Sequence, residues 1–242
     1  MSITTFHGIR LLQPCVSVLQ TCLNYPFCDA AKTTPGNDDD APECAGDWTA
    51  GAVWRGGEQL AEWLFSMPEA VAGKRVLELG SGTGIAGLAA VLAGAAFVTL
   101  TDRHVEQATA NVRLNPSLAA HVRVRSLQWG ATSADDEAVD LVLGADLVYP
   151  VGEAALDLLL GTLATLRRPT LLAYVERSSN TTANLLSGLE RLGARCHWQR
   201  GFAAGQAGSK ASLIALDAWT SDVSAHGCEI VGYISASGLR AR

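Results

Sequence analysis

Two carboxylates and a run of glycines stand at positions where a polar ligand could bind. Glu78 begins the sequence Glu-Leu-Gly-Ser-Gly-Thr-Gly, in which the glycine loop, residues 80–84, directly follows a short apolar strand. Glycines at the end of a strand let the backbone turn tightly and let a ligand lie against the main chain. Asp102 ends the next predicted strand, where its carboxylate could accept hydrogen bonds from a ribose diol. Ligands of open α/β sheets bind beyond the carboxyl ends of the strands, so we expect both acids to face one crevice.

The spacing of the glycines bears on which nucleotide the loop would hold. Residues 82–87 match Gly-x-Gly-x-x-Gly, and Asp102 stands twenty residues after the first of these glycines. This is the pattern of dinucleotide-binding sites, but that pattern should begin immediately after its strand, and the strand here ends two residues too early, at Leu79. Counted from Glu78, the pattern is acid-x-Gly-x-Gly-x-Gly. It suits a ligand with a positive sulfonium and an amino acid group better than a pyrophosphate, because a carboxylate attracts cations.

Further candidate residues flank other predicted strands. Trp129 follows the third strand and could pack its indole on an adenine. Asp146 and Tyr149 follow the fourth strand, where the reactive end of a cofactor would meet a substrate. Trp54 precedes an amphipathic helix predicted over residues 58–65, and it could close the crevice. Ordinary packing is the alternative for both tryptophans, and a helix or turn cap is the alternative for Asp146.

The elements that would position these residues alternate regularly between strands and helices from Arg75 onward. Such alternation predicts a mostly parallel sheet covered by helices on both faces. The last two strands have little sequence between them, so we expect them to pair as an antiparallel hairpin. The fold class predicted is α/β, a doubly wound Rossmann-like seven-stranded sheet with this C-terminal hairpin. The seven predicted strands cover residues 75–79, 97–101, 122–127, 139–144, 170–175, 196–202 and 211–216.

The first part of the chain differs in composition from the rest. Residues 33–47 are rich in proline, glycine and aspartate, which predicts an exposed acidic loop. Ile9 to Leu23 carries apolar residues at mixed spacing and is interrupted by Pro14, so it predicts weak secondary structure that could cover one edge of the main domain. We therefore predict an N-terminal extension over residues 1–48, a main domain over residues 49–219 and a C-terminal tail over residues 220–242.

Composition and charge limit the classes of partner. Of the 242 residues, 48% are hydrophobic and 17% are charged, which excludes a disordered chain. Eighteen basic and 24 acidic residues give a net charge of −6, so a nucleic acid partner is not indicated. The six cysteines form no Cys-x-x-Cys pair, and we expect no metal site. No apolar run reaches the roughly 20 residues that span a bilayer, and no signal peptide is evident. We expect the protein in the cytoplasm or the nucleus, and not on a membrane.

Taken in order, these motifs resemble those of the seven-β-strand, or class I, S-adenosylmethionine-dependent methyltransferases. The sequence VLELGSGTG is general to that class. The sequence ADLVYP, with the VW segment upstream, is similar to the protein lysine methyltransferase-like branch, whose hallmark is an acid-x-x-Tyr motif after the fourth strand. The resemblance covers roughly residues 46–216. It departs from the family at Gln128, where an acid is usual, and at Arg55, where proline or aspartate is frequent.

The resemblance implies that the cofactor is S-adenosyl-L-methionine and that the substrate is a lysine side chain of a non-histone protein. A small-molecule N-methyltransferase on the same fold is the alternative. A nicotinamide-dependent oxidoreductase and a non-catalytic module with this fold also stay open. The resemblance places Asp146 and Tyr149 at the site of methyl transfer, with Asp102 on the ribose and Trp129 beside the adenine. The full set predicted to bind the cofactor is Trp54, Glu78, Gly80, Gly82, Asp102, Trp129 and Asp146.

Overall fold

The structure is a computed structural model, and it describes residues 2–13, 51–132, 138–148, 153–176, 178–200, 211–219 and 228–230. The predicted acidic loop at residues 33–47 and the candidate Tyr149 lie outside the described residues. Ten strands are found in the described part of the chain. They are β1 (Ser2–Phe6), β2 (Ile9–Gln13), β3 (Arg75–Leu79), β4 (Phe97–Asp102), β5 (Val122–Ser126), β6 (Leu141–Ala145), β7 (Thr170–Val175), β8 (Ala194–Arg200), β9 (Ala211–Trp219) and β10 (Cys228–Ile230).

Eight of these strands form the central sheet, in the order β10-β8-β9-β7-β6-β3-β4-β5. The strands from β7 through β6, β3 and β4 to β5 are parallel. Strand β9 is antiparallel to both β7 and β8, which confirms the predicted C-terminal hairpin. The seven predicted strands are thus all present. The short strand β10 adds an eighth, since it pairs in parallel with β8 within the segment predicted as a tail.

In the described residues, five α-helices cover the two faces of this sheet. They are α1 (Arg55–Ser66), α2 (Ile85–Leu92), α3 (Glu106–Leu114), α4 (Glu153–Leu166) and α5 (Ser179–Arg191). The strand residues alternate between the faces: Val76 packs in the cluster that includes Leu60 and Leu64 of α1, whereas Leu77 packs with Leu159 of α4 on the other side. This alternation confirms a doubly wound sheet buried on both faces. None of the helices in the described residues has the length and apolarity that a bilayer crossing requires.

Strand β5 lies at one end of the sheet, as its sequence predicts. Its residues alternate between valine at positions 122 and 124 and arginine at positions 123 and 125. The valines pack against the core, and in the described residues β5 pairs with β4 alone. An edge strand has one solvated side, so this alternation is the pattern expected there.

The N-terminal hairpin, made of β1 and β2, was predicted only as weak secondary structure near a sheet edge. It is instead a regular antiparallel pair, in which His7 and Gly8 form the turn with φ angles of 45° and 86°. Two-residue hairpin turns of this type require positive φ at both central positions, which is why glycine suits the second one. The hairpin forms a separate two-stranded sheet and packs against helices α2 and α3, where Ile9 and Leu11 are buried. Residues 14–23 of the predicted segment lie outside the described residues.

Candidate functional site

A crevice of about 410 Å³ opens where strands β3, β4 and β6 end. It collects side chains from the glycine loop, from the start of α1, and from the segments that follow β4, β5 and β6. All seven residues predicted to bind the cofactor line it: Trp54, Glu78, Gly80, Gly82, Asp102, Trp129 and Asp146. The structure therefore brings together side chains from positions 54 to 146, as the meeting of parallel strand ends predicts.

The glycine loop forms the floor of this crevice, and its backbone requires glycine at alternate positions. Gly80, Gly82 and Gly84 have φ angles of 57°, 50° and 78°, in the left-handed region that glycine adopts without strain. A Cβ atom on Gly80 would also lie 2.6 Å from Cδ2 of Leu147. Within the loop, the amide of Gly84 donates to the carbonyl of Ser81 at 2.7 Å. The loop can thus expose main-chain groups to a ligand only because three side chains are missing.

Asp102 holds the glycine loop to the end of strand β4. Its Oδ2 accepts a hydrogen bond from the amide of Gly82 at 2.8 Å, and its Oδ1 accepts one from the amide of His104 at 3.1 Å. An ionised carboxylate offers about four acceptor positions, so each oxygen can accept one further bond. Asp102, which lines the crevice, can therefore accept hydrogen bonds from the two hydroxyls of a ribose.

Glu78 lies at the inner end of the crevice and is almost fully buried. Its Oε2 accepts a hydrogen bond from the amide of Gly87 at 2.8 Å, and a Cβ atom on Gly87 would lie 2.5 Å from that same oxygen. Burial raises the pKa of Glu78 to about 8; the bond from Gly87 opposes this rise, and the charge of Asp102 adds to it. Near neutral pH this carboxyl is thus readily protonated, and a cationic ligand would favour its charged form.

Asp146 joins the end of strand β6 to the start of helix α1. Its Oδ2 accepts a hydrogen bond from the amide of Gly56 at 2.7 Å, and its own amide donates to the carbonyl of Ala173 at 2.9 Å. Gly56 stands in the first turn of α1, where a carboxylate satisfies a helical N–H and is favoured by the helix dipole. The capping role raised as an alternative for Asp146 is therefore present, and the same side chain also lines the crevice.

The contact between Asp146 and helix α1 leaves no space for a side chain on Gly56. A Cβ atom there would lie 2.8 Å from both Cγ and Oδ2 of Asp146. Asp146 itself has a φ angle of 53°, which is uncommon for a residue other than glycine and is tolerated best by aspartate and asparagine. The residue types at both positions are therefore restricted by this contact.

The two candidate tryptophans lie at the crevice wall. Trp54 immediately precedes helix α1, and it is half-buried. Trp129 follows β5 and is also half-buried, with its Cζ2 atom 3.5 Å from the position that a Cβ on Gly80 would take. Trp129 therefore stands beside the glycine loop, where a planar ring held by that loop would contact the indole face.

Several residues of the crevice escaped the sequence analysis. Ser81 and Thr83 occupy the variable positions of the glycine loop and are buried, and the Ser81 hydroxyl has no hydrogen-bond partner among the described residues. Arg103 follows Asp102 and also lines the crevice, and so does Leu158 of α4. The available signals were the positions of Ser81 and Thr83 inside the motif and of Arg103 beside Asp102, whereas Leu158 comes from a distant helix. Glu176, the acid that follows β7, does not line the crevice.

Metal chemistry has no support from the side chains described. No group of three or more His, Cys, Asp or Glu residues in the described ranges could hold a metal ion. The polar groups of the crevice are carboxylates, hydroxyls and backbone amides, which suit an organic cation and a ribose.

The fold is similar to that of a solved enzyme of low sequence identity to this chain. The branched-chain polyamine synthase from Thermus thermophilus, crystallised with N4-aminopropylspermidine and 5′-methylthioadenosine, matches with a TM-score of 0.52 and 15% sequence identity. The match covers 67% of this chain and 55% of the synthase. At this identity the likeness concerns the fold alone.

Protein relatives are considerably more similar in sequence. Mouse EEF1A lysine methyltransferase 3 is 42% identical over 127 residues, which are 50% of this chain and 52% of that protein. Mouse protein N-lysine methyltransferase METTL21A is 36% identical over 157 residues, covering 60% of this chain and 71% of that protein. The chain spans about half the length of the first relatives that it matches. The model of the lysine methyltransferase family matches residues 39–191, and the chain therefore belongs to the lysine methyltransferase family, whose cofactor is S-adenosylmethionine.

Proposed function

We propose that this protein transfers the methyl group of S-adenosylmethionine to the ε-amine of a lysine in another protein. The observation that carries the proposal is that Glu78, Asp102 and Asp146 line one crevice around the glycine loop. S-adenosylmethionine carries a sulfonium, an ammonium and a ribose diol, and carboxylates complement all three groups.

The residues of the crevice fit this cofactor. A Cβ on Gly80 would clash with Cδ2 of Leu147, so only glycine lets the loop lie this close to the crevice wall. The buried hydroxyl of Ser81, which has no partner among the described residues, offers a donor and an acceptor to a polar group of the ligand. We assign Asp102 to the ribose hydroxyls and Trp129 to the adenine. With the cationic cofactor bound, which favours the charged form of its carboxyl, Glu78 would supply negative charge beneath the loop. When bound, the cofactor supplies an electrophilic methyl group on sulfur.

Methyl transfer from sulfur is a direct displacement, so the chain's main task is to place the acceptor nitrogen in line with the sulfur–carbon bond. A lysine amine has an unperturbed pKa of about 10.4 and must lose a proton before it attacks. A carboxylate nearby favours the ammonium, so Asp146 serves to bind and orient the incoming lysine, and it is a poor candidate for a strong base. We assign Tyr149, by the acid-x-x-Tyr motif, to the wall of the acceptor site, where its ring would pack on the amine.

The acceptor class follows from the relatives. The names of two relatives describe lysine methylation of a protein. We therefore propose a non-histone protein as the substrate, and a small-molecule amine is the competing acceptor. No membrane or nucleic acid is part of this proposal.

The test is methyl transfer from tritiated S-adenosylmethionine to proteins of a cell lysate, followed by identification of the labelled band and mass spectrometry of its lysines. We expect a labelled protein with methylated lysine. The matched variants are Asp146→Ala and Asp140→Ala: Asp140 stands at the opposite end of β6, where its Oδ2 accepts a hydrogen bond from the amide of Arg75 at 2.8 Å. Labelling should be lost in the first variant and kept in the second.

Two outcomes would contradict the proposal. Label recovered only in small molecules would favour the competing acceptor class. A rise in melting temperature with NAD but none with S-adenosylhomocysteine would favour an oxidoreductase, because only a bound ligand stabilises the folded chain.

A further inference from the structure

Three amide side chains on helix α3 bind the backbone of strand β2. Gln107, Asn111 and Asn115 stand four residues apart, so they lie on one face of the helix. The side chain of Asn115 accepts from the amide of Arg10 at 2.8 Å and donates to the carbonyl of Arg10 at 2.7 Å. Gln107 donates to the carbonyl of Leu12. Helix α3 therefore offers β2 the donors and acceptors that a neighbouring strand would offer.

Asn111 differs from the other two amides, because it also contacts the glycine loop. Its Oδ1 accepts a hydrogen bond from the amide of Leu12 at 2.7 Å, and its Nδ2 donates to the carbonyl of Thr83 at 2.8 Å. Asn111 has no exposed surface, and Thr83 lines the crevice. A single buried amide thus connects the N-terminal hairpin to the loop that would hold the cofactor.

The hairpin fixes the orientation of this amide. If the amide were flipped, its NH₂ group would face the N–H of Leu12 and its oxygen would face the carbonyl of Thr83, so both bonds would be lost. With the hairpin in place, only one orientation satisfies both neighbours, and a buried polar group without a partner is costly.

Among the described residues, three hydrogen bonds from strand β4 and helix α3 hold the backbone of the glycine loop. Glycine is the most flexible residue, and three of the five loop residues are glycine. Strand β4 supplies two anchors, the carbonyl of Thr101, which accepts from Ser81, and the carboxylate of Asp102. Asn111 supplies the third, on Thr83. Losing one anchor of three should let the loop adopt more conformations before it binds a ligand.

Apolar packing acts on the same region. Ile9 and Leu11 of β2 belong to one buried cluster with Ile85 and Leu88 of α2, the helix that begins directly after the loop. Ile85 itself lines the crevice. The hairpin therefore contacts both the end of the loop, through Asn111, and the start of the helix that follows it.

We propose that the N-terminal hairpin is a positioning element of the cofactor site, and that Asn111 is the positioning residue through which it acts on the glycine loop. The inference rests on the proposed function, in that the ligand is S-adenosylmethionine or its product S-adenosylhomocysteine. Coupling between two sites is reciprocal, so cofactor binding stabilises the docked hairpin to the same extent as the docked hairpin favours cofactor binding.

The first test uses the unmodified protein. Hydrogen exchange of the Leu12 amide is measured with and without saturating S-adenosylhomocysteine. We expect exchange to slow on binding by a factor on the order of ten, within the usual range of coupling between sites. An unchanged exchange rate at Leu12, with slower exchange in the glycine loop, would overturn the inference.

The second test compares Asn111→Asp with Asn115→Asp. Each aspartate keeps an acceptor for the strand β2 amide, but it replaces a donor by an oxygen: at position 111 this oxygen faces the carbonyl of Thr83, and at position 115 it faces the carbonyls of Arg10 and Asn111. Both variants bury a carboxylate against a carbonyl, so we expect them to lose similar stability. Thermal unfolding checks this expectation. Only the first touches the glycine loop.

Calorimetric titration with S-adenosylhomocysteine then separates the outcomes. For Asn111→Asp we expect a Kd roughly tenfold higher and a raised KM for the cofactor at little-changed kcat, whereas Asn115→Asp stays within about twofold of the unmodified protein. Equal affinities in the two variants would overturn the inference. If the unmodified protein itself does not bind S-adenosylhomocysteine, the proposed function fails first, and the inference falls with it.

Discussion

Replacing Asp146 separates its two roles, because asparagine keeps one of them and alanine keeps neither. Asparagine can accept the hydrogen bond from the amide of Gly56, now 2.7 Å long, and it tolerates the φ angle of 53°. It lacks the negative charge. Alanine loses the charge, the acceptor and the tolerance of left-handed backbone. The two variants therefore report separately on the cap of helix α1 and on the carboxylate that faces the crevice.

The magnitudes follow from the contacts. Loss of a helix cap costs about 1 kcal/mol, and a non-glycine residue in the left-handed region costs roughly 1–2 kcal/mol. We therefore expect Asp146→Ala to lose about 2 kcal/mol of unfolding free energy, and about 4–8 °C in Tm for a chain of this size. Asp146→Asn loses only the interaction of charge with the helix dipole, about 0.3–1 kcal/mol.

The effects of the two Asp146 substitutions on activity should differ from their effects on stability. A charge-assisted hydrogen bond to a lysine ammonium is worth about 1.5–3 kcal/mol, so Asp146→Asn should lower kcat/KM for the protein substrate about 10- to 100-fold. Affinity for S-adenosylhomocysteine should survive in both variants. The assays are thermal unfolding, calorimetric titration and tritium transfer on the same preparations. Turnover of Asp146→Asn equal to that of the unmodified protein would refute the reasoning, because the carboxylate would then serve only as a cap.

Three further predictions test neighbouring contacts. Gly56→Ala places a Cβ 2.8 Å from the carboxylate of Asp146, so we expect a loss of about 1–3 kcal/mol and of methyl transfer. Gly161→Ala in α4 has nothing within 4 Å of the new Cβ, so its free energy of unfolding, measured by urea titration, should rise by about 0.5–1 kcal/mol. Because the pKa of Glu78 rises from 4.5 to about 8, the folded chain retains a proton that the unfolded chain loses, and this contribution to stability declines as pH rises through that window. The free energy of unfolding of Glu78→Gln, measured with urea, should therefore rise relative to that of the unmodified protein as the pH increases from 4.5 to about 8. A difference between the two proteins that stays constant with pH would contradict the raised pKa.

The sequence predicted those parts of the site that lie within one strand and the loop after it. Glu78, the glycine loop and Asp102 were found because a strand, its turn and its acid are neighbours in the chain. The contact of Asp146 with Gly56 was not predicted, since the two residues are 90 positions apart. Tyr149 and the location of the protein stay predictions.

Two predicted helix starts were displaced, one by a long-range contact and one by a local turn. Helix α1 begins three residues earlier than its apolar pattern indicated, at Arg55, and the side chain of its N-cap residue, Trp54, makes no capping hydrogen bond. Its cap comes from Asp146, on a distant strand. The sequence predicts a helix from His104 to Asn115, but helix α3 begins two residues later, at Glu106, because the amide of His104 is bound by Asp102 in a turn. Long-range partners also dock the hairpin: Asn111 and Asn115 bind strand residues 99 and 105 positions away.

The arginines of strand β5 have a consequence for how the protein behaves at high concentration. An edge strand exposes backbone groups that can recruit a second chain, and charged side chains on such a strand discourage that association. With valine at positions 122 and 124, a neutral residue at both 123 and 125 would leave a short β-branched run of the kind that nucleates aggregates. Among the described residues no strand pairs with the outer edge of β5, so we expect Arg123 and Arg125 to discourage such association.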